Sequence, residues 1–122
     1  MALELRDAGW NVSVVDERED ALGRLGHDWG GEFHLGHGMD ISLLRQAGIA
    51  DADAVVVATD GDNSNIVIAQ LAQKEFAVKS VVARVYDPAR AEVYRARGLN
   101  LVCPTQSAIE ALTSAVVGGS ES

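Results

Sequence analysis

The chain is poor in several things at once, and each shortage excludes something. Cys103 is its only cysteine, so no internal disulfide can form and nothing points to secretion. No stretch reaches the roughly 18 apolar residues of a membrane span, and there is no signal peptide. Both absences point to a cytoplasmic protein with no direct membrane insertion, whose place at any membrane comes through a partner. Bases are outnumbered, 10 against 18 acids, for a net charge of −8. So acidic a surface argues against nucleic acid and anionic lipid as partners, because phosphate contacts need clustered Lys and Arg. Aromatic residues make up 5%. That leaves an interior of Val, Ala, Leu and Ile, which suits α/β layers better than an aromatic-rich sandwich.

At 122 residues and 48% hydrophobic content, the chain is long enough for one domain with a real core. Helix and strand alternate along it. Met1–Ala8 reads as a helix closed by Gly9, with no Ser, Thr, Asp or Asn ahead of it as an N-cap. A strand over Asn11–Val15 ends on Asp16, and a polar helix over Glu17–Leu25 follows. Glu32–Leu35 is a short strand leading to Gly36-His37-Gly38, and Asp40–Ala47 a helix stopped by Gly48. Asp53–Ala58 and Ser80–Val85 are continuous apolar runs, as in strands covered on both faces. Between them lie a polar loop, Thr59–Asn65, and a long helix to about Phe76. Pro88 sits at the start of a helix reaching Arg97, and Leu101–Val102 is a last short strand. Thr105 caps a helix to Val117, leaving 118–122 as a flexible tail. Loops of two to six residues between such elements imply βα units, hence a parallel sheet with right-handed crossovers.

Few residues in this frame could carry chemistry. Asp16 ends a strand, and in an open parallel sheet an acid at that edge can accept both hydroxyls of a ribose. It could equally cap the helix that follows, where a carboxylate meets the dipole. The fingerprint turn that should lie about 20 residues before a ribose acid falls ahead of Met1. Gly36-His37-Gly38 follows a strand and precedes a helix, but Ile41 stands where a third glycine belongs, so a tight turn suffices to explain it. Thr59-Asp60-Gly61-Asp62 has calcium-like acids, yet Asn65 and Leu71 occupy the positions that need Gly and Glu. It reads better as a βα loop, with Thr59 near a ligand and Asp62 or Asn63 capping the helix. Arg84 ends an apolar strand and needs a partner, either an anion such as a phosphate or an acid such as Asp87. His27, His34 and His37 are loop or surface histidines rather than a metal site. No nucleophile pattern is present, and Cys103 before Pro104 is a small buried residue. Nothing in the pattern requires catalysis.

Three segments together resemble a known family: NVSVVDERED, GHGMDISLLRQAGIADADAVVVATDGDNSNIVIAQLA and VVARVYDPARAEVYRARGLNLVCPT. They are similar to the TrkA N-terminal domain, also called the RCK or KTN domain, over about residues 1–117. The resemblance implies a Rossmann-like, doubly wound parallel sheet that binds NAD(H) or an adenine nucleotide, ATP or ADP. It implies a non-enzymatic regulator of a potassium transporter or channel membrane subunit, a homo-oligomer held at the inner face of the membrane by that partner. By position Asp16 would hold the ribose, His37 and Gly38 would lie by the adenine, Thr59 and Asp60 would line the pocket, and Arg84 would reach the phosphates. Many relatives carry Asp where this chain has His37.

Against the family pattern, the first strand and its G-x-G-x-x-G turn are absent, and so is the small C-terminal lobe of longer relatives. In the strand order 3-2-1-4-5-6 the first strand is central, so its loss leaves two unpaired edges and removes a phosphate cradle. An N-terminally truncated form is therefore expected, lacking about 25 residues on the fingerprint spacing. The alternatives are a fragment of an NAD-dependent oxidoreductase, which would need a substrate domain after this one, and an interaction-only remnant.

Overall fold

A computed structural model describes residues 1–121 of the chain. It forms two compact units, Met1–Ala52 and Asp53–Ser122.

The first unit contains α1 (Ala2–Asp7), β1 (Ser13–Asp16), α2 (Asp20–Leu25), β2 (Glu32–Leu35) and α3 (Ile41–Gln46), then a 3₁₀ turn at Ile49–Asp51. β1 and β2 pair in parallel, with Ser13 opposite Glu32 and Asp16 opposite Leu35. The β-branched Val14 and Val15 favour this extended backbone. Trp29, Leu44 and Ile49 are its buried apolar side chains. Around Trp29 the packing leaves no slack. A Cβ on Gly31 would lie 2.7 Å from both the Val12 carbonyl oxygen and the indole ring, so only glycine fits. Arg6 ties α1 to the same loop, donating to the carbonyls of Asp28 (2.7 Å) and Trp29 (3.2 Å).

The second unit contains β3 (Ala54–Val57), α4 (Asp62–Lys74), β4 (Ser80–Arg84), α5 (Pro88–Ala96), β5 (Leu101–Val102) and α6 (Pro104–Glu121). Its sheet has the order β3-β4-β5, all parallel. α4 packs on β3 and β4 through Ile66, Ile68, Ala69 and Ala72, whose spacing puts them on one side of the helix. Val57, Val81, Ala83, Val85 and Leu101 complete the interior from the sheet side.

The fold is therefore α/β and Rossmann-like. The strands form two separate parallel sheets, β1-β2 in the first unit and β3-β4-β5 in the second. Among the described residues no helix is long and apolar enough to cross a membrane.

Several boundaries differ from the sequence expectation. β1 begins at Ser13 rather than Asn11, and just ahead of it the Val12 carbonyl accepts the Glu32 N–H (3.3 Å). The polar residues of Thr59–Asn65 hide the start of α4, which begins at Asp62 and ends at Lys74, short of Phe76. Pro104 is already helical, since its fixed φ and absent N–H suit a first turn, so Thr105 lies inside α6 rather than capping it. α6 also continues to Glu121, past the end expected at Val117. Ser122 lies outside the described residues.

Candidate functional site

In parallel α/β sheets ligands gather at the carboxyl ends of the strands. In the first unit that edge is built around Asp16 and the loop after β2. The Gly36 N–H donates to the Asp16 carbonyl (2.9 Å), extending the β1–β2 pairing by one step. The Asp16 side chain does not cap α2. Its Oδ1 accepts the Arg18 N–H at 2.9 Å, a local turn, while α2 starts after Glu19 with no side-chain cap. Oδ2 takes no partner among the described residues, so half of this partly exposed carboxylate remains available to hydroxyl donors.

His37 and Gly38 occupy a turn closed by the Asp40 N–H on the His37 carbonyl (3.0 Å). His37 Nδ1 accepts the Met39 N–H at 3.1 Å, and Nε2 lies 3.9 Å from Glu17 Oε2, both side chains being exposed. Asp40 caps α3 by accepting the Leu43 N–H at 3.2 Å. Gly36-His37-Gly38 is thus a tight turn into a capped helix. His34, expected at the surface, lies on β2 with its Nε2 enclosed and unpaired. The cleft of about 560 Å³ in this unit lies at the opposite edge, around Trp10–Ser13 and Asp28–Glu32, and contains neither Asp16 nor His37.

In the second unit the structure brings Thr59 and Arg84 together. Arg84 Nη2 donates to the carbonyls of Ala58 (3.0 Å) and Thr59 (3.2 Å), and the guanidinium sits 4.8 Å from the centre of the Tyr86 ring. The pairing with Asp87 weighed as Arg84's alternative does not form: Asp87 instead caps α5, accepting the Ala89 N–H at 3.2 Å. Arg84 Nε is enclosed with no partner, so the guanidinium fork is incompletely used. Asp60, beside Thr59, is exposed and makes no hydrogen bond or ion pair among the described residues. The turn it belongs to is closed by the Gly61 N–H on Thr59 Oγ1 (3.3 Å).

Two residues of α4 organise this edge, and sequence reasoning missed the role of both. Asn65, fully buried, bonds to Thr59 and to the Arg84 carbonyl. Asp62 does not cap its own helix, whose N-cap is Gly61. Its Oδ1 and Oδ2 instead accept the N–H groups of Tyr86 (2.8 Å) and Asp87 (3.0 Å). Burial pushes the Asp62 carboxyl up, but those two N–H donors, together with the charges of Arg90 and Arg84, outweigh it and hold the group below its usual range. The available signal was weak: two side chains that can bridge backbone groups, placed at the start of a helix.

An open carboxylate oxygen at the end of a parallel strand suits ribose hydroxyls, and an underused guanidinium at another strand end suits a phosphate. No cluster of three or more His, Cys, Asp or Glu that could hold a metal is present among the described residues.

Comparison with known proteins fits this geometry. The family model of the TrkA-N domain matches residues 1–105. A Trk system potassium uptake protein TrkA from Streptomyces coelicolor is 43% identical over 102 residues, which are 84% of this chain and 46% of that protein. Its namesake from Mycobacterium tuberculosis (strain H37Rv) is 36% identical over 85 residues, 70% of this chain and 38% of that one. The chain therefore spans less than half the length of these relatives. Among solved structures, the NAD(P)-binding domain of an exopolyphosphatase-related protein from Archaeoglobus fulgidus superposes with a TM-score of 0.69. That match covers 94% of this chain and 86% of the other at 22% identity, a likeness of fold.

Proposed function

This chain belongs to the TrkA-N domain family, and on that premise we propose that it is a regulatory nucleotide-binding domain of a potassium uptake system. The nucleotide is NAD(H) or ATP/ADP. Asp16 accepts the ribose hydroxyls, His37 and Gly38 lie by the base, Thr59 and Asp60 line the pocket, and Arg84 contacts phosphate. No bond is made or broken. Occupancy shifts the balance between conformations of the domain or of its assembly with further copies, and so biases the gate of a membrane transporter or channel subunit. The domain acts from the cytoplasmic side, held there by that subunit.

The observation that supports this most is Asp16: a carboxylate at the end of a parallel strand, with one oxygen unengaged. Calorimetric titration of the chain with NADH, and separately with ATP, tests it. Saturable binding of either is expected, with Asp16→Ala weakening it about tenfold or more, the scale of hydrogen bonds to a charged acceptor. Binding unaffected by Asp16→Ala, or none at all, would overturn the assignment. Hydride transfer from bound NADH to a substrate would replace it with an oxidoreductase.

A further inference from the structure

Asn65 is the buried polar residue among the described residues, with 0% exposure, on a helix face that otherwise buries Ile66, Ile68, Ala69 and Ala72. An amide costs free energy in such a place unless its bonds are made. Here all of its capacity is used. Oδ1 accepts from the Thr59 N–H (3.0 Å) and from the Thr59 hydroxyl. Nδ2 donates to the Thr59 carbonyl (3.0 Å) and to the Arg84 carbonyl (2.9 Å). One side chain thus joins the residues that follow β3 to the last residue of β4. The Thr59 carbonyl it holds is also one of the two that receive Arg84 Nη2.

We propose that Asn65 is a positioning residue for nucleotide binding: it touches no ligand and acts by fixing Thr59 and the Arg84 guanidinium at the sheet edge. This role rests on the nucleotide reading above. A satisfied buried network specifies one geometry where an apolar side chain would only fill space. Without the Asn65 amide, the Thr59 N–H and the Arg84 carbonyl lose the partner that Asn65 gives them, and the Thr59 carbonyl keeps only Arg84 Nη2, so the 59–61 turn is tied to β4 by the guanidinium alone. The carbonyls that aim Arg84 move with it.

A double-mutant cycle on NADH binding tests the role, using Asn65→Leu, Arg84→Ala and the combination. Each single variant is expected to bind NADH about tenfold more weakly, and the double variant little more weakly than Arg84→Ala, because the guanidinium that Asn65 aims is already gone. A purely structural role predicts independent losses that multiply to about a hundredfold, and that result overturns the proposal. So does an Asn65→Leu variant that binds like the wild type. Ile66→Ala, a core truncation on the next residue, serves as control and is expected to lower stability while leaving NADH affinity unchanged. If Asn65→Leu fails to fold, the same cycle runs with Asn65→Asp, which keeps the acceptor for Thr59 but lacks both donors. Failure of the wild-type chain to bind NADH or ATP is a different outcome: it overturns the nucleotide reading itself, and this role with it.

Discussion

The two units build the same kind of strand edge from unequal resources. Residues 1–52 bury three apolar side chains, Trp29, Leu44 and Ile49, and none of the three helices there exceeds six residues. Neither α1 nor α2 has a buried residue. Residues 53–118 bury thirteen apolar side chains and include a 13-residue helix packed on two strands. The edges differ in the same sense. Beyond β3 and β4, side chains of α4 hold the loops by six hydrogen bonds to backbone and hydroxyl groups. Beyond β1 and β2, backbone turns do most of the work, and the Asp16 side chain bonds only to its own loop. A region with few buried contacts opens at lower free energy than one with many. Thr59 and Arg84, proposed to line the pocket and meet phosphate, are therefore held ready, while Asp16, the proposed ribose acid, belongs to the unit with fewer buried side chains.

The largest effect should come from the indole that anchors the first unit. Trp29→Ala is expected to cost about 3–5 kcal/mol, enough to expose the amides of residues 1–52 to hydrogen exchange while those of α4 and β4 stay protected. Equal loss of protection in both units would erase the contrast. Gly31→Ala should cost about 1–3 kcal/mol in urea denaturation, since its Cβ meets a backbone oxygen that cannot swing away. A cost below about half a kcal/mol would mean the loop is looser than its 2.7 Å approaches imply.

Acid should act on the second unit through Asp62. Its folded carboxyl is held below its usual value, so its stabilisation is present above the ordinary carboxylate range and is lost as the pH falls below about 4. Exchange of the Tyr86 and Asp87 amides is expected to quicken in that range, and Asp62→Asn should remove the pH dependence. Persistence of that dependence in Asp62→Asn would assign it elsewhere. Least of all, Arg24→Ala, which removes an exposed 3.3 Å pair with Asp20, should change stability by no more than about 0.5 kcal/mol. A larger loss would show α2 to be better anchored than its lack of buried residues suggests.

Much of this was legible in the residues because local rules and tertiary context agree. The apolar runs at 53–58 and 80–85 became β3 and β4, and Gly9, Gly48 and Gly98 stand at positive φ beside helix ends. Two of the misses share a cause. In 59–65 polar residues read as loop, yet Asp62–Asn65 form the first turn of α4, with the Asp62 and Asn65 side chains spent on backbone groups of other elements rather than on water or a cap. Hydrophobic periodicity carries no trace of such cross-element bonds. The partner of Arg84 was equally hidden: Asp87, the nearest acid in sequence, is committed to capping α5, and the guanidinium turns to backbone carbonyls that no pattern marks.

The central claim is that a nucleotide is read by the carboxyl ends of these strands. Amide resonances recorded while NADH is titrated into the chain test it most directly. Shifts are expected at Asp16, at Gly36–Gly38, at Thr59 and Asp60, and from Arg84 to Tyr86. Shifts confined to the opposite edge, at Trp10–Ser13 and Gly30–Glu32, would contradict it, as would none with either NADH or ATP.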